Sequence, residues 1–186
     1  LWEEIIGACH RPAERVEVVV GPVTAYSCSR EMLSDAAALR RKHRLHGHIH
    51  LLESRAQKME AVRRFGSATK LLDEAGFLRV DGTVTSCAHA CWLDDDDVAR
   101  LARAGAVVAH NPLSNLRLGS GVCGVRRLLD AGVGVAVGCD GACSSDGQDM
   151  TEAIKAAALV STLTTPEYRR WLSAREALRL AYEGGA

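Results

Sequence analysis

Short, almost uninterrupted apolar runs alternate along the chain with longer stretches whose apolar residues recur at helical spacing. The runs are Val16 to Val20, Gly47 to Leu51, Val84 to Ala88, Ala106 to Ala109 and Val133 to Cys139. Each precedes a predicted helix: Arg30 to Arg44, Ala56 to Glu74 with a break near Gly66, Asp94 to Ala104, Val122 to Ala131, and Asp149 to Leu163. Strand-then-helix units in series predict an α/β fold with a parallel sheet, because strands buried on both faces read as continuous apolar runs. On the last strand, period two puts Val133, Val135, Val137 and Cys139 on one face and Gly134, Ala136, Gly138 and Asp140 on the other. The bulky set should face helices. The small set should line a crowded interior and end in a carboxylate at the C-terminal end of the strand, where α/β enzymes carry their sites.

With 47% hydrophobic residues, the 186-residue chain has material for a real core. Its 23 basic and 23 acidic residues cancel, so no net field draws it to nucleic acid or an anionic membrane. Aromatic residues, at 4%, are too few for base-stacking platforms. No apolar run reaches the roughly 18 residues of a membrane span, and no signal-peptide pattern opens the chain. Seven cysteines without framework spacing suit a reducing compartment, so a cytoplasmic protein with small buried thiols is expected. Nucleotide-binding glycine loops are absent. The acidic run Asp94 to Asp97 falls where a helix begins and where its dipole favours negative charge.

His50, His89, His110 and Asp140 each stand at or just past the C-terminal end of a different predicted strand. In a parallel sheet those ends gather on one face, where imidazoles and a carboxylate could meet around a metal ion. His46, His48 and His50 share one strand face, with only His50 at the rim. Glu53 lies beyond the strand. Its spacing suits a general acid/base curled over the site and, equally, the first-turn acid of the next helix. The stretch from His110 to Gly121 has the Pro and Gly of a loop, with Gly119 and Gly121 permitting close backbone approach. Its Asn, Ser and Arg residues suit either a grip on a polar substrate or a well-bonded turn.

His50-x-x-Glu53, Ala88-His89, the stretch from Val108 to Gly121 reading VAHNPLSNLRLGSG, and Val137-Gly-Cys-Asp140-Gly occur in this order and spacing. Together they resemble the amidohydrolase superfamily, in particular its aminohydrolases and chlorohydrolases of purines, pterins, triazines and adenosine-like nucleosides. The resemblance runs from about Val16 to Ala186. It implies a TIM (β/α)8 barrel with one divalent metal ion, zinc or else iron, at the C-terminal face. By resemblance, His50 and Asp140 are metal ligands from the fifth and eighth strands, and Asp140 also takes the proton of the attacking water. His89 polarises that water or contacts the tetrahedral centre, and Glu53 shuttles a proton to a ring nitrogen. His110 and Asn115 match positions on the seventh strand and its loop and are candidates for substrate binding.

The implied activity is hydrolytic deamination of an amino-substituted heterocycle by metal-bound hydroxide. A chlorohydrolase or other displacement on the same ring class is the alternative among enzymes. A non-catalytic α/β fragment or binding module, its histidines in the core, is the alternative of another class. The expected partners are a small heterocyclic substrate and, at full length, further copies of the chain, with neither nucleic acid nor membrane. The family carries two more metal ligands in an HxH pair on its first strand, and nothing upstream of His46 supplies one. His48-Ile-His50 does not fill that place, because Glu53, His89 and Asp140 follow at fifth-, sixth- and eighth-strand distances. The five predicted strands thus correspond to strands 4 to 8, and residues 1–186, opening on Leu1, read as the C-terminal part of one barrel domain. The earlier strands and a flanking β domain are then absent. A barrel takes about 250 residues. The polypeptide alone is expected to bind metal weakly, to expose sheet edges, to lack activity, and to aggregate or pair.

Overall fold

The computed structural model describes residues 2–185, in which helix α1 (Trp2–Cys9) and a 3-10 turn (Pro12–Glu14) precede the repeating part of the chain. Side-chain oxygens then set the helix starts. Ser29 caps α2 (Arg30–His43), Ser54 caps α3 (Arg55–Phe65) and Ser67 caps α4 (Ala68–Glu74), each accepting a backbone N–H in the first turn. Gly66, at φ 77°, ends α3, so the long predicted helix divides at its expected break. Asp94 and Asp97 form a reciprocal capping box at the start of α5 (Asp95–Ala104), which accounts for the acidic run. The short helices α6 (Pro112–Arg117), α7 (Val125–Asp130) and α8 (Ala142–Ser145) follow, then α9 (Met150–Ser161) and α10 (Ala174–Tyr182), capped by Asp149 and Ser173.

Between the helices run β1 (Gly47–Leu51), β2 (Thr85–His89), β3 (Val107–His110) and β4 (Gly134–Val137), all parallel and in sequential order. Register explains the sequence pattern. Ile49, Cys87, Val108 and Val135 pair as one row, and all four are buried in the core beneath the helices. The next row, on the opposite face, carries His50, Ala88, Ala109 and Ala136. That face is the small-residue interior.

The predicted strand Val16 to Val20 does not form. The segment still runs beside β1, through isolated parallel bridges of Val20 with Gly47 and Thr24 with His50. Val20 N–H donates to His46 O at 3.0 Å, and Val20 O accepts from His48 N at 3.0 Å. Continuing that ladder would require the next N–H from Pro22, which has none. The register slips instead, and His50 N–H donates to Val23 O at 3.2 Å. The cysteine expectation also needs correction. All are free, and Cys28, Cys87 and Cys123 are buried, but Cys91 and Cys139 are half-buried and Cys9 and Cys143 exposed.

Two buried charges tie helices to the sheet and to each other. Arg40 of α2 is fully buried and donates to Leu45 O, Phe77 O, Val84 O and the hydroxyls of Thr83 and Thr85. Asp97 of α5 accepts from Lys58 of α3 (2.6 Å), Ser67 (2.7 Å) and Thr69 of α4 (2.6 Å). Among the described residues, no helix is long and apolar enough to cross a membrane.

Candidate active site

Four non-glycine residues at the C-terminal ends of β1, β2 and β4 have left-handed backbone: Leu52 (φ 46°), His89 (72°), Ala90 (52°) and Asp140 (63°). Each costs roughly 1–3 kcal/mol, and such strain persists where the surroundings over-determine the conformation. At His89 it has a visible result. By strand parity His89 belongs with Cys87, on the face toward the helices, yet its ring stacks on that of His50 at 5.4 Å between centroids and 21° between planes. The break in the pleat allows that crossing.

His50 Nδ1 lies 2.8 Å from Val23 O. A carbonyl can only accept, so Nδ1 carries the proton and Nε2 presents a lone pair. His89 Nδ1 lies 2.9 Å from Asn115 Oδ1, and its Nε2 lies 3.9 Å from Asp140 Oδ2. Asp140 is held from its own side of the site: Ser114 Oγ donates to Oδ2 at 2.5 Å, and Gly141 N–H donates to Oδ1 at 2.7 Å. Burial opposes its charge, but these two donors, with His89 nearby, outweigh it and hold the carboxyl below its ordinary pKa. Asp140 is therefore ionised at neutral pH. His48 stands edge-on to His50, at 5.9 Å, and burial with the two neighbouring imidazoles lowers its pKa.

Glu53 sits just before the cap residue Ser54, outside α3, so it is not a first-turn acid. Its carboxylate accepts from Ser120 Oγ at 3.1 Å and from Gln57 Nε2 at 3.4 Å, while its own N–H donates to Gln57 Oε1 at 2.9 Å. His110 is only 1% exposed, with Nδ1 lacking a partner; burial, then the charge of His89, pushes its pKa down to about 4. It is a buried neutral imidazole near His89, on the strand face of Val108 and outside the chain of contacts among the other candidates. Asn115 is equally buried, and its Nδ2 also lacks a partner. His46 lies apart, accepting Val84 N–H at 2.9 Å toward the other end of β1.

His50, His89, Asp140 and Asn115 thus form one chain of contacts, and Glu53 joins the same loop through Ser120. Among the described residues, no group of three or more His, Cys, Asp or Glu side chains is placed to hold a metal ion. Two donors do fit one: His50, its Nε2 lone pair set by the bond at Nδ1, and the ionised Asp140. Ser114, on α6, and Ser120 emerge as hydrogen-bond partners beyond the candidates singled out by position, although both lie within the stretch from His110 to Gly121, where a helix forms in place of an unbroken loop. Gln57 and Trp92, whose indole donates to Ser120 O at 2.6 Å, carry no sequence signal of their own.

A family model described as "Amidohydrolase family" matches residues 1–186. A 5'-deoxyadenosine deaminase from Methanothermobacter thermautotrophicus is 42% identical over 158 residues, covering 84% of this chain and 36% of the relative. A guanine deaminase from C. acetobutylicum, solved with bound guanine, superposes with a TM-score of 0.89 at 26% identity, over 98% of this chain and 45% of that one. An atrazine chlorohydrolase from Arthrobacter aurescens, solved with zinc, gives 0.91 at 28% identity, over 99% and 41%. The chain therefore spans less than half the length of each of these proteins.

Proposed function

The chain belongs to the amidohydrolase family, and on that premise we propose that its residues form the C-terminal part of a barrel that deaminates an amino-substituted N-heterocycle of the adenosine-like class. The observation that carries this reading is the contact chain of His50, His89 and Asp140 at three strand ends, continued to Glu53 by the loop after β3. His50 and Asp140 would hold one divalent ion, zinc by analogy with the chlorohydrolase. When bound, such an ion would supply Lewis acidity, lowering the pKa of a water toward roughly 7.

The chain's own residues would do the rest. Asp140, ionised and anchored by Ser114 and Gly141, accepts the proton of the attacking water. Glu53 delivers a proton to the ring nitrogen beside the carbon under attack, which makes that carbon electrophilic; the proton held by Asp140 then passes to the amino group, the C–N bond breaks to release ammonia, and the hydroxyl proton left on the carbon returns to Glu53. His89 steadies the oxygen that develops charge there, its orientation fixed by Asn115. His110 and Asn115 form the polar wall on the substrate side. The remaining metal ligands would come from sequence outside these 186 residues. The seven free cysteines suit a cytoplasmic setting, and the full-length protein is expected to self-associate and to bind neither nucleic acid nor membrane.

The likeness to the atrazine chlorohydrolase supports a second reading, displacement of halide from the same kind of ring. One screen separates them. The full-length protein is offered 5'-deoxyadenosine, guanine and a chlorotriazine, with ammonia and chloride measured in parallel. Ammonia from 5'-deoxyadenosine supports the deaminase, chloride supports the alternative, and neither product together with no bound metal points to a non-catalytic module.

A further inference from the structure

Glu53 lies outside any helix and has several rotatable bonds, yet its proposed task requires the carboxyl to meet one ring nitrogen. We propose, resting on the deaminase reading above, that Ser120 is a positioning residue for Glu53, with Gln57 as the second arm of the same clamp. Ser120 is buried and reaches across from the loop after β3 to donate its hydroxyl to Glu53 Oε1 at 3.1 Å. Gln57, in the first turn of α3, grips the other side, accepting Glu53 N–H at 2.9 Å and donating its amide N–H to Oε2 at 3.4 Å.

Ser120 is itself held from a third strand. The Trp92 indole N–H, just after β2, donates to its carbonyl at 2.6 Å. The next residue, Gly121, has φ 132°, and a Cβ there would come within 2.9 Å of Trp92 Nε1. Glycine is thus required for the indole to lie against the loop. Helix α6, which leads into this loop, donates from Ser114 to Asp140 and meets His89 through Asn115. One segment of chain therefore holds the three groups that are proposed to move protons or steady charge, each from a different strand end. An error of about 1 Å in such a group can cost a hundredfold in rate without weakening substrate binding.

The test uses the full-length, metal-loaded protein and ammonia release from 5'-deoxyadenosine. Ser120→Ala removes only the hydroxyl and leaves the carbonyl that Trp92 grips. It should lower kcat by about 10- to 100-fold, with KM, metal content and thermal midpoint nearly unchanged, and Ser120→Thr should recover most of the loss. In a Glu53→Ala background, Ser120→Ala should have no further effect, because the group it positions is gone. A multiplicative loss in that background, a change carried by KM, or failure of Ser120→Thr to rescue would overturn the positioning role alone. Full turnover in Glu53→Ala would overturn the acid/base reading of Glu53 and this proposal with it.

Discussion

The guanidinium of Arg40 is the most consequential buried group outside the site, and its removal can be worked through atom by atom. Burial pushes its pKa down to about 10, so it remains charged at neutral pH. Its partners are carbonyl and hydroxyl oxygens: Leu45 O at 3.2 Å, Phe77 O, Val84 O at 3.2 Å, and the Thr83 and Thr85 hydroxyls at 3.0 Å each. It also lies 4.8 Å from the Phe77 ring centroid. In Arg40→Met, Val84 O keeps the Gly47 N–H at 2.9 Å, whereas Phe77 O is left with a 3.4 Å contact to the Thr85 hydroxyl, whose one proton goes to Leu78 O at 2.8 Å. Leu45 O loses the guanidinium N–H. One or two under-bonded buried carbonyls cost about 1–3 kcal/mol each, and the lost cation–π contact about 0.5–2 kcal/mol. Removing a buried charge offsets part of this, but main-chain acceptors stay behind whatever replaces the side chain, so the loss wins. The expected destabilisation is about 3–5 kcal/mol, a large share of the 5–15 kcal/mol typical of a domain. Urea unfolding at pH 7 measures it as a lower midpoint with unchanged slope. Arg40→Lys should recover only part, because one ammonium cannot span a fork's acceptors. A loss below about 1 kcal/mol in Arg40→Met would refute this accounting.

Other substitutions probe the site's scaffold. A Cβ at Gly138 would collide with Asn111 Oδ1, so Gly138→Ala should cost about 1–3 kcal/mol in urea midpoint analysis. Gly121→Ala should dislodge the Trp92 indole, which its N–H resonance in NMR spectra would report as a large shift. His110 takes up its proton near pH 6.5 when unfolded but only near pH 4 when folded, so the unfolded state binds more protons between these values. Its contribution is fully present above 6.5 and falls as pH drops toward 4, by roughly 3 kcal/mol in all. His110→Asn should flatten that part of the stability profile measured between pH 7.5 and 4.5. The 186-residue chain expressed alone should release no ammonia, while the full-length protein should.

The alternation of strand and helix was legible because burial of both strand faces writes itself as apolar runs, and the acidic run from Asp94 marked one helix start chemically. Val16 to Val20 misled because valine content reports a taste for pleated surface, whereas ladder continuation hinged on the missing N–H of Pro22. His50, His89 and Asp140 could be picked out by place alone, since parallel strands bring their ends together. Their precise meeting could not be foreseen. It depends on the left-handed backbone at His89 and Asp140, residues with no sequence mark of that conformation. Glu53 stood evenly between two readings until its position ahead of Ser54 removed the helical one. Partners such as Gln57 and Trp92 are visible only as contacts across sequence separation, which residue spacing does not encode.

The proposed division of labour on an amino-heterocycle gives metal holding to His50 and Asp140 and proton delivery to Glu53. It is tested most directly by measuring zinc content and ammonia release from 5'-deoxyadenosine on the same full-length preparations of wild type, Glu53→Gln and Asp140→Asn. Glu53→Gln should keep wild-type zinc with almost no ammonia release, and Asp140→Asn should lose both zinc and ammonia release. Undiminished ammonia release from Glu53→Gln, or full turnover by zinc-free Asp140→Asn, would contradict it.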